Sequence, residues 1–313
     1  MDKKPLISLC IPTNGVIEWI FPVLESIYSQ KIDNNLFEVV VCDNGNNSDF
    51  KSKIKEFASN HSNFIYKETS APLFLSEPET YKLSNGHFIK FINHRTKLIN
   101  GTLKYFIDFV QKYMNNEEKP IIYFTNNLLK QKNKVFEFSN FSDFVENLKI
   151  YSSWSTGMGI WKDDFDKLLS ENPVFNELFP HTTVLFNERK RKKYIIDNNF
   201  LLDEMPQAKK PKGNYDLFYA FGVEYPSILL NLVTSGDLDC NAFITLKKEI
   251  LKFCSSLASD YFVFKLYCSY DLNNFNKSMS VFYNKVEVYY SIFYISIWKI
   301  IKKIFKILFL RRK

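Results

Sequence analysis

The sequence of 313 residues predicts an α/β fold, a mostly parallel, twisted sheet flanked by helices and followed by a helical C-terminal extension. Short apolar runs alternate with segments of helical periodicity over the first hundred residues. The runs are apolar throughout, as in parallel strands covered by helices on both faces. A content of 46% hydrophobic and 24% charged residues excludes a disordered chain and a protein with many membrane spans.

The elements follow one another with clear boundaries. Residues 6–11 form the first predicted strand, which ends in turn residues, and 17–30 carry apolar side chains at helical spacing. A second strand is predicted at 37–42 and a second helix at 50–58. Further along the chain, we predict strands at 63–67, 87–92, 121–124 and 155–161, mostly helical structure at 175–196 and 215–270, and a mobile loop at 202–214.

This pattern divides the chain into three parts: an α/β domain at 1–214, a helical region at 215–290 and a basic amphipathic helix at 291–313. Ligands of parallel α/β sheets bind at the carboxyl ends of the strands. The residues expected to bind a ligand therefore lie at 13–15, 43–47 and 93–96.

The net charge of +7 is confined to the C-terminal end of the chain. From Ser278 onward there are eight basic residues and one acid, Glu287, whereas the first 277 residues carry 33 groups of each sign. This distribution disfavours a nucleic-acid partner and favours a local anionic partner for the tail. The five cysteines form no CxxC pair, which excludes a zinc ribbon or a disulfide scaffold and fits a reducing cytoplasm.

Three segments at the predicted strand ends carry a family resemblance. ISLCIPTN at 7–14, FEVVVCDNG at 37–45 and NGHFIKFINHR at 85–95 resemble the nucleotide-binding half of family 2 glycosyltransferases, enzymes of the GT-A fold. STGMGIW at 155–161 resembles the small-residue strand that precedes their acceptor helix. The resemblance implies a nucleotide-sugar donor, with UDP or dTDP favoured, and an inverting transfer to an acceptor.

The donor site implied by this resemblance includes Pro12, Thr13 and Asp43. A carboxylate at a strand end accepts a hydrogen bond from a base N–H, and such pairing selects a uracil or thymine face. The Thr13 hydroxyl and the following turn are expected to hold the ribose and diphosphate. The alternative is that Asp43 and its neighbours only form a turn.

The sequence departs from the family at its metal-binding Asp-x-Asp motif, which here holds Asn93 and Arg95. Asn is a poor ligand for Mg²⁺ or Mn²⁺ and Arg is none, so the usual divalent metal site is predicted to be absent or weak. In one hypothesis Arg95, with Lys209 and Lys210, stabilises the departing diphosphate. In the other, the chain is a catalytically degenerate, membrane-associated binding or scaffold protein.

The base that activates the acceptor hydroxyl is expected in the segment FNELFPHTTV at 175–184. His181, after Pro180, occupies about the place of the Glu-Asp pair whose Asp is the base in that family, and it titrates near neutrality, so it is the first candidate. Glu177 is the second. A lone histidine is more often structural than catalytic.

The tail from 291 to 313 predicts a peripheral membrane helix. Lys299, Lys302, Lys303 and Lys306 share one helical face, and apolar residues with Trp298 cover the rest. With no signal peptide at the start, we expect a cytoplasmic enzyme on the inner face of the cell membrane. A lipid-linked glycan acceptor in bacterial O-antigen or capsule synthesis fits that location.

Overall fold

A computed structural model describes residues 4–205 and 213–310, the last three of them by backbone alone. The chain divides into two compact units, Met1–Pro206 and Gln207–Lys313, and the first boundary proposed from the sequence lies at 214. The strands are β1 (Ile7–Thr13), β2 (Phe37–Asp43), β3 (Phe64–Glu68), β4 (Phe88–Phe91), β5 (Thr96–Leu98), β6 (Ile121–Phe124), β7 (Val135–Phe138), β8 (Gly159–Trp161), β9 (Tyr194–Asp197) and β10 (Leu202–Glu204).

The helices lie between the strands in the first unit and form all the regular structure described in the second. They are α1 (Ile17–Tyr28), α2 (Ser48–Ser59), α3 (Ser76–Leu83), α4 (Thr102–Tyr113), α5 (Phe141–Leu148), α6 (Lys162–Ser170), α7 (Pro180–Leu185), α8 (Leu217–Tyr219), α9 (Tyr225–Thr234), α10 (Cys240–Ala258), α11 (Phe275–Met279) and α12 (Lys285–Leu310).

A five-stranded sheet in the order β3-β2-β1-β4-β8 forms the centre of the first unit. The first four strands are parallel, and β8 joins the edge antiparallel to β4. All seven residues of β2 are buried, as are all residues of β1 except the half-buried Pro12. The predicted α/β architecture with a mostly parallel sheet is confirmed.

Helices cover this sheet through apolar faces. In α1 the buried residues follow helical spacing, as predicted. They pack into a core that also contains Phe50 and Ile54 of α2 and Phe106 of α4. This burial fixes the strand ends, because each helix starts in the loop that follows a strand.

Two predictions for the end of the first unit were wrong. The segment 175–196 is not mostly helical: α7 is a short helix, and β9 lies between β6 and β7 in a second sheet. The segment 202–214, predicted as a loop, begins with a strand, since β10 pairs antiparallel with β5, whereas its residues 206–212 lie outside the described residues. In both places the strand is formed by partners distant in sequence, so local periodicity and loop-like composition did not reveal it.

The second unit is helical, as predicted for 215–270. A π-helical turn at Ala220–Glu224 joins α8 to α9, and another at Ser259–Val263 follows α10. Among the described residues one helical stretch, Leu217–Thr234, has the length and mean hydropathy (1.2) of a membrane-crossing helix. Within the fold, 44% of this stretch is buried.

Candidate functional site

The carboxyl ends of β1, β2 and β4 form one edge of the central sheet. Thr13 and Asp43, the last residues of β1 and β2, lie opposite each other in the parallel register. On the other side of β1, the pairing with β4 runs through Cys10 and Phe91 and continues with a hydrogen bond from Ile92 N to Cys10 O. The residues that follow β4 therefore reach the same edge as Thr13 and Asp43.

Thr13 is buried and organises the turn after β1. Its Oγ1 accepts a hydrogen bond from Gly15 N at 3.2 Å and lies 3.0 Å from His94 Nδ1. Gly15 has φ +77°, a conformation that residues with a side chain rarely adopt. The hydroxyl thus joins the turn after β1 to the loop after β4.

Asp43 is 1% exposed and accepts hydrogen bonds from Gly45 N at 2.8 Å and from Tyr66 Oη at 3.2 Å. Burial raises the pKa of its carboxyl group, and these hydrogen bonds act in the opposite direction. The carboxylate has about four acceptor positions, so two donors leave capacity for a ligand N–H.

The backbone of Gly45 approaches the loop after β1 closely. A Cβ at this position would lie 2.1 Å from Asn14 O, a backbone atom. We expect Gly45→Ala to separate the two strand ends and to destabilise the fold by about 1–3 kcal/mol. Denaturant unfolding would measure this effect. Gly222→Ala, where the nearest atom is the flexible Met279 side chain, is the control; equal effects from the two variants would contradict the prediction.

Asn93, His94 and Arg95 follow β4 in a tight turn. Asn93 Oδ1 accepts from Arg95 N at 3.0 Å, and Asn93 O accepts from Thr96 N at 2.9 Å. His94 is half-buried, and burial together with the Arg95 charge lowers its pKa to about 3. At neutral pH the ring is therefore uncharged where it meets Thr13.

The Arg95 guanidinium lies over a buried aromatic ring at this edge. Its Cζ is 5.4 Å from the centroid of the Trp19 ring, which is itself 5.1 Å from the His94 ring. Among residues 4–205 and 213–310 no carboxylate pairs with it. Arg95 O accepts from Met205 N at 2.9 Å. Lys209 and Lys210 lie outside the described residues.

The two candidates for the base differ in exposure. His181, on the first turn of α7, is 2% exposed; its Nδ1 lies 3.1 Å from Ser155 Oγ, and its Nε2 has no partner among the described residues. Burial lowers its pKa to about 3. Glu177 is exposed in the loop before α7, and its backbone oxygen accepts from Phe74 N at 3.3 Å.

The loop at 71–75 connects Glu177 to the carboxyl edge of the central sheet. Asn44, directly after Asp43, donates through Nδ2 to Ala71 O at 3.1 Å and Leu73 O at 3.2 Å. Phe74 of the same loop makes the contact to Glu177. In this conformation an acceptor hydroxyl can approach Glu177 from solvent, whereas it reaches His181 Nε2 only if neighbouring residues move.

A buried polar network was missed from the sequence. Glu77 of α3 is 2% exposed, accepts from Tyr81 Oη at 2.9 Å and is hydrogen-bonded by Ser155, which also contacts His181. Burial raises the pKa of Glu77 to about 7. The network therefore joins α3 to α7 beneath the predicted acceptor side. Its local sequence carries no signal, because Glu77 lies in a polar stretch that predicts an exposed helix.

Lys90 is a further buried charge that the sequence did not predict. It is fully buried in β4 and donates to three backbone carbonyls, those of Phe91, Thr156 and Met158, at 2.8–3.2 Å. Burial lowers its pKa to about 7. A single lysine within the apolar run FIKF was the available signal. Through its hydrogen bonds to Thr156 and Met158, the Lys90 side chain fixes the position of the turn that holds Ser155.

The sheet order, the site at the carboxyl edge and the helical C-terminal region together define a GT-A-like glycosyltransferase fold. S. aureus TarS 1–349 in complex with UDP-GlcNAc has this fold, with a TM-score of 0.58 and 15% identity over 88% of this chain and 80% of that chain. For S. aureus TarS the TM-score is 0.52 and the identity 15%, over 82% of this chain and 44% of that chain.

A third solved structure is mannosyltransferase PcManGT from Pyrobaculum calidifontis in complex with GDP-Man and Mn²⁺. Its TM-score is 0.52 and its identity 13%, over 95% of this chain and 88% of that chain. At these identities the likeness establishes the fold. No family model matches the sequence, and no curated protein does.

The residues at 93–95 do not fit a divalent metal. Asn93 Oδ1 is engaged by Arg95 N, His94 Nδ1 faces Thr13, and the Arg95 guanidinium adds a positive charge. Within the described part of the chain, no three His, Cys, Asp or Glu side chains are grouped for metal binding. The chemistry of this donor set favours an anionic ligand over a cation.

Proposed function

We propose that this chain is a glycosyltransferase that moves a sugar from a nucleotide-sugar donor to an acceptor, with inversion and without a bound metal. The observation that carries the proposal is the juxtaposition of Thr13, Asp43 and Arg95 at one edge of a GT-A-like sheet. Solved structures with this fold contain UDP-GlcNAc or GDP-Man. Their ligands support a nucleotide-sugar as the donor class.

The proposed nucleotide contacts follow from the acceptor capacity of Asp43. Its carboxylate accepts the N3–H of uracil or thymine, which makes a UDP- or dTDP-sugar the favoured donor. Pro12 and Thr13, the last two residues of β1, hold the ribose. The β1–β2 register fixes them opposite Cys42 and Asp43, so they need little rearrangement on binding.

The proposed diphosphate contact is Arg95. A guanidinium grips phosphate oxygens bidentately and stabilises the negative charge that develops on the departing nucleotide. Lys209 and Lys210 are proposed to assist. Both lysines lie outside the described residues.

The acceptor is proposed to be a lipid-linked glycan in bacterial surface polysaccharide synthesis at the cytoplasmic face of the membrane. Either Glu177 or His181 would take the proton from its hydroxyl. Glu177 is accessible as the structure stands, and His181 requires an opening of α7. Rates of Glu177→Gln and His181→Asn at saturating donor distinguish them, because only loss of the base lowers turnover while donor affinity is kept.

Asp43→Asn tests the nucleotide site. The variant replaces a charged acceptor by an amide, and we expect UDP affinity to fall about 10–100-fold. Calorimetric titration with UDP, dTDP and GDP would measure it. Asp49→Asn, at an exposed carboxylate paired with Lys53, is the control. Unchanged UDP affinity in Asp43→Asn would refute the proposed nucleotide site.

The second candidate function is a catalytically degenerate, membrane-associated binding protein. The replacement of the metal-binding motif by Asn93 and Arg95 favours it. Donor hydrolysis or transfer measured with and without EDTA separates the two. Turnover that survives chelation supports the enzyme, whereas nucleotide binding without turnover on any nucleotide-sugar supports the binding protein.

A further inference from the structure

Helix α12 packs on its own unit through one face. Val288, Ile292 and Ser296 are 3%, 8% and 7% exposed, and they recur every fourth residue. They pack against α10 and the π-helical turn after it, where Ser296 Oγ lies 2.8 Å from Ser259 Oγ. This face therefore has its partner within the fold.

The opposite face of α12 is apolar and exposed along the helix. Its residues recur at helical spacing. Phe293 is 64% exposed and Phe305 56%, where a buried helix would leave such side chains covered. The face comprises Val286, Tyr290, Phe293, Tyr294, Ile297, Ile300, Ile304, Phe305 and Ile307, with Trp298 at its border. A contiguous exposed apolar surface of this kind marks an interaction site.

The packed face becomes a lysine face towards the end of the helix. Lys299 is the last residue of the packed face. Its Nζ lies 2.8 Å from Asp260 Oδ2 and 2.8 Å from Ser256 O. Lys302, Lys303 and Lys306 continue that side, and all three are exposed. Among the described residues none of the three has an ion-pair partner. The only acid of α12 is Glu287, in its first turn.

We propose that α12 is a docking surface for an anionic lipid bilayer. The apolar face of α12 enters the membrane–water interface of the bilayer. The lysines, on the other side of the helix, reach the anionic lipid headgroups. Aromatic side chains such as Trp298 favour the interfacial depth, because one end of the ring is apolar and the other polar.

Charge favours a bilayer over a second copy of the chain. Two copies of α12 would bring together six unpaired lysines, Lys302, Lys303 and Lys306 from each, and only one carboxylate per helix to neutralise them. An anionic leaflet neutralises each lysine and provides an apolar layer for the opposite face. Arg311, Arg312 and Lys313 add positive charge to the sequence but lie outside the described residues.

Vesicle flotation of the full chain tests the apolar face. We expect the protein to float with vesicles of phosphatidylglycerol and phosphatidylcholine, and the double variant Phe293→Ser/Phe305→Ser to bind at least about tenfold more weakly. Val174→Ser/Phe200→Ser is the matched control, since these apolar side chains are 92% and 58% exposed in the first unit. It should float like the unchanged chain, and equal flotation of both double variants would overturn the proposal.

The lysines are tested by charge removal. Lys302→Gln/Lys303→Gln/Lys306→Gln should weaken binding to anionic vesicles about 100-fold. The control Lys130→Gln/Lys132→Gln/Lys167→Gln removes the same charge from exposed positions of the first unit and should have no comparable effect. Equal binding of the unchanged chain to pure phosphatidylcholine vesicles would overturn the role of charge.

Two further measurements complete the test. Unfolding curves should be the same for all variants, because every substituted side chain is exposed. Light scattering without vesicles should show no oligomer that Phe293→Ser/Phe305→Ser abolishes; such an oligomer would assign the face to a second copy and overturn the proposal. Flotation requires no donor, so its outcome is independent of the proposed sugar transfer.

Discussion

Replacing Arg95 by alanine should lower the rate of sugar transfer by about 10²–10³-fold, the cost of removing one group that stabilises developing negative charge. The guanidinium lies over Trp19, and no described carboxylate neutralises it, so its charge is available to a diphosphate. Arg95 takes part in the hydrogen bonds of the turn only through its backbone, donating from N to Asn93 Oδ1 and accepting at O from Met205 N, and these bonds remain in the variant. We therefore expect the loss to appear in turnover more than in stability.

The experiment compares transfer rates of Arg95→Ala and Arg95→Lys, with Lys97→Ala on the neighbouring β5 as the control. The transfer rate of Arg95→Lys should lie between those of Arg95→Ala and the unchanged chain, because an ammonium keeps the charge but loses the bidentate contact. EDTA should leave the unchanged chain active. Full activity of Arg95→Ala, or a rate abolished by EDTA and restored by Mn²⁺, would refute the role given to Arg95.

Substitution of His181 should change the acid stability of the protein. The folded chain keeps this ring neutral down to a pKa of about 3, whereas the unfolded chain protonates it near 6.5. Between these pH values the unfolded state binds more protons, so the free energy of unfolding falls as pH falls. The slope that His181 contributes is at most about 1.4 kcal/mol per pH unit.

His181→Asn should remove that slope, although it lowers the stability at neutral pH by leaving unfilled space. Denaturant unfolding at several pH values from 3 to 7 would show it. Thr183→Ala, on the same helix, is the control and should keep the slope. The pKa of Glu77 is raised to about 7, so between pH 4.5 and pH 7 this residue makes the free energy of unfolding rise as pH falls, in both variants. An unchanged slope in His181→Asn would show that the ring is protonated in the folded state.

The strands that form the candidate site at the carboxyl edge of the sheet could be predicted because their burial is visible in the sequence. In β1 and β2 nearly every side chain is buried, so an apolar run predicts each strand and the polar residue that ends it. The neighbouring positions of Thr13 and Asp43 followed from the rule that parallel strands share a carboxyl edge. The contact between Thr13 and His94 did not, because it depends on how the loop after β4 turns.

The features that the sequence could not predict depend on distant partners. β9 and β10 exist because β6 and β5 provide hydrogen bonds to them. The burial of Glu77 and Lys90 depends on the turn at Ser155, 65 or more residues away in the chain. For α12, spacing predicted the lysine face, but only its packing on α10 shows which face is covered and that the apolar residues opposite are exposed.

The register of Thr13 against Asp43 has a consequence for ligand affinity. Both side chains stand on buried strands whose backbone is held by a seven-residue parallel ladder. The distance between the groups proposed to hold base and ribose is therefore set during folding, before any ligand arrives. Binding then requires little loss of conformational entropy from the protein, so a short list of direct contacts is sufficient for a specific complex.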